Sequence, residues 1–234
     1  MTDARLVQLE QRILAKNDDA AAALRDLYAM TNTKVANWIS SPGTGKTALL
    51  EAVLARATER GISAAALVGD CATDNDAVRL ARSGAPVRQI VTEGMCHLEA
   101  EHVAGHLRGF DLEDIDLLVV ENVGNLVCPT SFDLGENLRV VLLSTVEGED
   151  KPLKYPATFA AADVVVITKA DLADAAEFDR AAAYANIRTV NASAPIVETS
   201  ARKGRGLDEL LDLLLAPSKQ NVAPSGVAAA VHDN

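Results

Sequence analysis

"SSPGTGKT", Ser40 to Thr47, stands between an apolar run, "KVANWIS" (Lys34 to Ser40), and a helical one, "KTALLEAVLARATERG" (Lys46 to Gly61). A phosphate-binding loop has the pattern GxxxxGK[ST] in a strand–loop–helix context. Gly45, Lys46 and Thr47 supply the end of that pattern, Gly43 adds backbone freedom, and Ser40 stands where the first glycine is usual. The physics tolerates this serine, because phosphate oxygens are held by backbone N–H groups at a helix N-terminus. Here those groups belong to Gly43, Thr44, Gly45, Lys46 and Thr47, with Ala48 in the same first turn. Lys46 is placed to reach the β- and γ-phosphates and to serve catalysis, and Thr47 to give its hydroxyl to Mg²⁺. The competing reading, a glycine-rich turn with a capping threonine, leaves the flanking strand and helix unexplained.

Outward from this loop, short apolar runs alternate with helical ones. Strands are expected at "SAAALVG" (Ser63 to Gly69), "VRQIVTE" (Val87 to Glu93), "IDLLVVE" (Ile115 to Glu121), "LRVVLLSTV" (Leu138 to Val146), "ADVVVIT" (Ala162 to Thr168) and "PIVET" (Pro195 to Thr199). Helices are expected at Asp74 to Gly84, His97 to Gly109, Asp174 to Asn186 and Gly206 to Leu215. This alternation predicts an α/β fold, a mostly parallel twisted sheet with helices on both faces. Ligands of such sheets sit at the carboxyl ends of the strands. Ahead of it, "RLVQLEQRILAKND" (Arg5 to Asp18) and "DAAAALRDLYAM" (Asp19 to Met30) read as two helices, with Asp18 or Asp19 capping the second. The predicted organisation is a helical appendage over 1–33, a nucleotide-binding domain over 34–215 and a disordered tail over 216–234, where Pro, Ser, Gly and Ala follow no period.

"VVVITKADL" ends a strand with Thr168, Lys169 and Asp171, and resembles the guanine-reading NKxD motif with Thr in place of Asn. The Asp171 carboxylate can accept from guanine N1–H and the exocyclic amine. Adenine offers an acceptor and a C–H there and would leave the carboxylate unpaired. Further on, "ETSARKGRGL" puts Ser200 and Ala201 just past a strand, like the SAK-type loop whose backbone donates to guanine O6. The order of these motifs favours GTP over ATP.

Asp70 and Glu121 each follow an apolar run, so both carboxylates are candidate Mg²⁺ ligands with Thr47, direct or through water. Asp70 is alternatively the group that orients the attacking water. Taken alone, each acid reads equally well as a helix cap. The stretch after Glu121 is "ENVGN", with no DxxG and no following Gln, so hydrolysis is expected to be slow.

Cys96 and His97 are adjacent, and Cys128 lies seven residues past Glu121. Thiolate and imidazole suit nickel or zinc. Three such ligands per chain are incomplete for a closed tetrahedral site; they suit an open site or one shared across a two-fold axis. The residues alone read equally as small buried cysteines. Cys71 reads as core or loop. His102 and His106, at i and i+4, read as a solvated helix face.

Composition excludes several classes. The chain has 234 residues, 49% of them hydrophobic but only 3% aromatic, and a formal charge of −11. Such an acidic surface does not suit nucleic acid. No uninterrupted apolar stretch reaches the ~18 residues of a membrane span. Three cysteines with no signal peptide ahead of them lead us to expect a reducing, cytoplasmic setting.

Taken together, "SSPGTGKTALLE", "GDCATDNDAVRL", "GMCHLEA", "ENVGNLVCPTSFDLGE", "KPLKYP" and "TKADL" resemble the hydrogenase nickel-incorporation GTPases, the HypB family of metallochaperones. The resemblance runs from "ILAKND" to "GRGLDEL" and extends to Ser40. It implies a SIMIBI-like P-loop GTPase that couples its GTP/GDP state to holding and releasing Ni²⁺ or Zn²⁺. It implies a metal site of Cys96, His97 and Cys128 near the interface of a GTP-dependent homodimer. As partners it implies a small nickel-binding maturation protein and the large-subunit precursor of [NiFe] hydrogenase. No Cys or His precedes Cys71, so metal storage by an N-terminal cluster is not expected. The rival readings are a nickel GTPase serving urease, a signalling GTPase with structural cysteines, and a P-loop kinase or ATPase. "ENVGNLVCP" and the lack of a Cys-Pro-His run count against the first.

Overall fold

A computed structural model describes residues 3–70, 79–92 and 94–217, and gives the backbone alone for residues 3–10 and 70. Among them run α1 (Asp3–Thr31), β1 (Lys34–Ser40), α2 (Lys46–Glu59), β2 (Ala64–Asp70), β3 (Val87–Val91), α3 (Ala100–Leu107), β4 (Leu117–Glu121) and β5 (Leu138–Ser144). They continue with α4 (Lys151–Lys154), α5 (Pro156–Ala160), β6 (Val164–Thr168), α6 (Arg180–Val190), β7 (Ile196–Glu198) and α7 (Leu207–Leu215). The seven strands form one sheet in the order β3-β2-β4-β1-β5-β6-β7, and every pair is parallel. β1 therefore lies between β4 and β5, and the chain reverses direction across the sheet at β1, where a ligand crevice is expected.

Both faces are covered, so the central strands are buried on both sides rather than alternating, with polar residues such as Asn37 and the strand-end Glu121 and Thr168 buried among them. β4 and β6 are buried at all positions. On one face Ala36, Trp38, Leu117 and Val119 pack against α2 (Leu49, Leu50, Val53, Leu54) and against α7. Each buried Leu there contributes about 1.5–3 kcal/mol relative to exposure. The other face carries two clusters. Leu118 and Val120 meet α1 and α3, while Val141, Val165 and Ile167 meet α5 and α6.

Several expected boundaries shift for identifiable reasons. The two N-terminal helices are one helix of 29 residues. No Gly or Pro interrupts 3–31, and the amide of buried Asn17 is anchored instead to distant backbone, accepting from Ala100 N and donating to the Asp133 carbonyl. The helix expected from His97 starts at Ala100, because His97 and Leu98 turn away from it and His102 accepts at Nδ1 from Glu99 N at its start. His102 is thus a capping side chain. The helix expected at 174–186 runs from Arg180 to Val190, with the Asp179 carboxylate accepting from Ala182 N. Of the helix expected at Asp74 to Gly84, residues 74–78 lie outside the described residues, 79–80 are helical and Ala81–Ser83 form a 3-10 turn. Cys71 and the tail from 218 onward also lie outside them.

Candidate functional site

The turn between β1 and α2 takes positive φ at Gly43 (78°) and Gly45 (92°), a conformation open to glycine without strain. Gly45 starts α2 with no capping side chain, so the first-turn N–H groups form an anion-binding terminus. A Cβ at Gly45 would lie 3.3 Å from Lys169 Cε, so glycine also leaves room for the lysine stem.

Lys46 and Glu121 form a buried ion pair at the floor of this loop, Nζ to Oε1 3.1 Å. Lys46 also donates to the carbonyl of Asn122. Thr47 donates its hydroxyl to the same Glu121 Oε1 at 2.7 Å. The other oxygen, Oε2, is buried without a partner. Thr47 and Glu121, two of the three expected Mg²⁺ ligands, are thus brought together. Asp70 ends β2, in register with Val91 of β3, and its side chain lies outside the described residues.

Two contiguous cavities open here. One of ≈ 440 Å³ is lined by the loop together with Glu121, Gly124 and Lys169. The other, of ≈ 480 Å³, is lined by Ala48, Thr168, Lys169, Asp171, Ala201 and Arg202 among others. Gly45, Ala48, Arg79 and Lys169 line both. The size and continuity suit a base in one and phosphates in the other. Thr168 is buried and its hydroxyl donates to the Thr44 carbonyl at 2.7 Å, so it holds the phosphate loop to the end of β6. Lys169, at φ 56°, donates to the Gly43 carbonyl at 2.7 Å. Asp171 accepts from the Ser200 hydroxyl at 2.6 Å, and that hydrogen bond holds its carboxyl below the usual range.

The Ser200 N–H is committed to the Arg205 carbonyl in a short bridge, and its hydroxyl is the group that donates to Asp171. Ala201 lines the ≈ 480 Å³ cavity. Two further groups carried no signal in the sequence. Arg79, paired with Glu51 at 2.7 Å, borders both cavities. Glu147 accepts from the hydroxyls of Ser41 at 2.9 Å and Thr44 at 2.8 Å, with Lys151 alongside at 3.4 Å.

The second chemistry lies beside the first. Ligand atoms of Cys96, His97 and Cys128 all fall within 4.8 Å of one another. Cys96 Sγ stands 3.5 Å from His97 Nδ1. His97 Nε2 is buried, 3.7 Å from Glu99 Oε1, and the ring stacks on Phe132 with centroids 3.9 Å apart. Burial lowers the imidazole pKa, outweighing the opposing pull of Glu99, so the neutral ligand form is favoured. Cys128 opens a 3-10 turn, Cys128–Ser131, that Arg139 supports by donating to the carbonyls of Thr130 at 2.9 Å and Phe132 at 3.3 Å. Two soft thiols and an imidazole are a donor set for nickel or zinc.

A family model, "CobW/HypB/UreG, nucleotide-binding domain", matches residues 35–198. The chain is 46% identical over 214 residues to hydrogenase maturation factor HypB of Azotobacter chroococcum mcd 1, covering 90% of this chain and 69% of that one. It is 38% identical over 222 residues to hydrogenase/urease maturation factor HypB of Helicobacter pylori strain 26695, covering 92% and 89%. A crystal structure of HypB from Helicobacter pylori in complex with nickel superposes with a TM-score of 0.82 at 38% identity, over 88% of this chain and 96% of that one. Phosphate loop, buried Lys46–Glu121 pair and thiol–imidazole cluster therefore occur in a chain that belongs to the CobW/HypB/UreG family, among the HypB hydrogenase maturation factors.

Proposed function

We propose that the chain is a GTPase that carries nickel for the maturation of [NiFe] hydrogenase, and that its nucleotide state sets how the metal is held. The observation that carries this reading is the convergence of Cys96, His97 and Cys128 within 4.8 Å, on loops adjoining the Lys46–Glu121 pair. The nickel-bound Helicobacter relative supports it. Nickel is the cargo, and zinc fits the same donors.

Guanine is selected by Asp171, oriented by Ser200 and flanked by Lys169 and Ala201. The N–H groups from Gly43 to Ala48 hold the phosphates, and Lys46 turns from Glu121 toward them. Thr47 and Glu121 offer hard oxygens, and the unpartnered Glu121 Oε2 is the atom a magnesium shell would satisfy. Held by Thr47 and Glu121, Mg²⁺ would neutralise the charge that develops on the phosphates. Asp70, at the end of β2, orients the attacking water; hydrolysis is slow without a further positioning group. Three donors per chain, with Cys96 and neighbouring Val127 exposed, fit a metal site completed at a GTP-dependent dimer interface in the cytoplasm. The partners are a small nickel-binding maturation protein and the hydrogenase large-subunit precursor. The name of the Helicobacter relative favours a second reading, service to urease as well.

Metal affinity and solution mass, measured with GDP and with a non-hydrolysable GTP analogue, test the reading. A change in affinity and a doubling of mass with the analogue are expected. Equal values in both states refute it.

A further inference from the structure

The nucleotide and metal sites are joined by side-chain amides on the stretch between them. Asn122 is fully buried. Its backbone carbonyl accepts from Lys46. Its side-chain Oδ1 accepts from Leu98 N at 3.1 Å, the residue after His97, and from Val123 N at 2.9 Å. Its Nδ2 donates to Asn37 Oδ1 at 3.2 Å. Three residues on, Asn125 donates from Nδ2 to the Cys96 carbonyl at 3.3 Å and accepts at Oδ1 from Val127 N at 2.8 Å, next to Cys128. One short segment thus grips both metal-bearing loops.

We infer that Asn122 and Asn125 are the positioning residues that carry nucleotide state to the metal cluster, an inference that rests on the nucleotide-switched reading above. The segment is pressed from the nucleotide side at two points. Recruitment of Lys46 by phosphate removes a cation from the Asn122 carbonyl. At Gly124, a Cβ would lie 3.3 Å from Pro42 Cα, so the phosphate loop packs directly against the segment. On the metal side only amides serve. Each Asn uses donor and acceptor at once; Asp lacks the donor, and an apolar residue at 122 leaves the buried Leu98 N–H without a partner. Asn37 also donates to Glu136 at 3.2 Å, and Glu136 holds the Arg139 that supports the Cys128 turn. A shift of the 121–125 segment therefore changes the Cys96–His97 loop and the Cys128 turn together, and with them the spacing of the donors.

The test compares full-length wild type with Asn125→Ala, whose side chain is partly exposed and outside the nucleotide site. Ni²⁺ affinity and the thiolate-to-nickel absorption band are read with GDP and with a GTP analogue. Wild type is expected to show an affinity ratio within the range of about 5–150-fold typical of coupled sites. Asn125→Ala is expected to keep nucleotide affinity within about twofold while the Ni²⁺ ratio falls to within about twofold and the two absorption spectra coincide. Asn122→Ser, which shortens the bridge to Leu98, is expected to reduce the ratio likewise; should it not fold, Asn125→Ala decides alone. A variant that weakens nickel equally in both states and keeps the wild-type ratio overturns the inference, since that is the signature of a merely structural role. A wild-type ratio of one overturns the underlying reading instead, and the inference with it.

Discussion

Glu121→Gln removes a single charge from the floor of the nucleotide site. The Lys46 and Glu121 side chains are only 9% and 3% exposed and stand 3.1 Å apart. Taking one charge from a buried pair costs about 3–5 kcal/mol, because the remaining ion is left uncompensated in a poorly polarisable setting. Glutamine keeps an acceptor for Lys46 and for the Thr47 hydroxyl, and the Asn122 carbonyl still accepts from Lys46, so the lower end, about 3 kcal/mol, is expected. For a domain of this size that is a fall in Tm of about 6–12 °C. Triphosphate supplies Lys46 with new negative charge, so the deficit should shrink when nucleotide is added. Mg²⁺ should add less to the variant than to wild type, since the carboxylate oxygen that would coordinate it is gone. Calorimetry on both proteins, with no nucleotide, with a GTP analogue, and with the analogue plus Mg²⁺, reads all three terms. A nucleotide-free variant melting within about 2 °C of wild type refutes the reasoning, because the pair would then carry no net electrostatic strain when broken.

Asp171→Asn should weaken GTP by about 100-fold or more and abolish its advantage over ATP, because the amide presents a donor to guanine N1–H; competition binding with both nucleotides reads this. His102→Ala should cost about 1 kcal/mol by loss of the cap at α3 while leaving nickel stoichiometry unchanged, measured by unfolding and by metal titration. Gly135→Ala should destabilise by about 1–3 kcal/mol in denaturant unfolding. Gly135 sits at φ 73°, and a Cβ there would meet the Ala21 carbonyl oxygen at 2.6 Å, forcing α1 off the sheet. Asp133 accepts from Arg25 at 2.6 Å and from Gly135 N at 2.7 Å; burial pulls its carboxyl pKa up, but the hydrogen bonds and charge of Arg25 together with the Gly135 N–H and Glu136 outweigh it and hold the value below the ordinary 3.8. Its stabilising contribution is then complete above pH ~3.8 and lost as pH falls through the folded value. Both partners are over a third exposed, so at most about 1 kcal/mol is involved. The Tm gap between wild type and Asp133→Asn should close on acidification, and a constant gap refutes the assignment.

What the sequence made legible were features that depend on residues near one another in the chain. The loop at 40–47 and the buried strands follow from local spacing and apolar runs. β1 matches its expected span, and β4 and β6 are each fully buried as a two-sided parallel sheet requires. The nearness of Cys128 to Cys96 and His97 was implied by family likeness and not by spacing. It depends on Asn122, Asn125 and Arg139 reaching backbone groups in other segments. Such long-range hydrogen bonds leave no periodic trace. The same holds for Asn17, whose bonds to residues 100 and 133 fasten α1, and which reads in isolation as a weak helix former. Helix starts were misplaced where a side chain caps from an unforeseen position, as His102 does at α3.

The geometry also argues for why the metal loops adjoin the phosphate loop rather than lying elsewhere on the sheet. In this structure the groups that would receive nucleotide are paired internally: Lys46 with Glu121 and Asn122, Lys169 with Gly43, and the hydroxyls of Ser41 and Thr44 with Glu147. Nucleotide binding is therefore an exchange of partners among these groups, with the Lys46–Glu121 pair the buried part of the set. Such an exchange disturbs what is packed directly against it and fades where exposed loops can absorb the change. A ligand can shift a conformation only by the difference in its interaction with the two states. The pairs broken and formed around Lys46 are where that difference arises, and Asn122, covalently next to Glu121 and hydrogen-bonded to Leu98 beside His97, joins them to the metal-bearing loop.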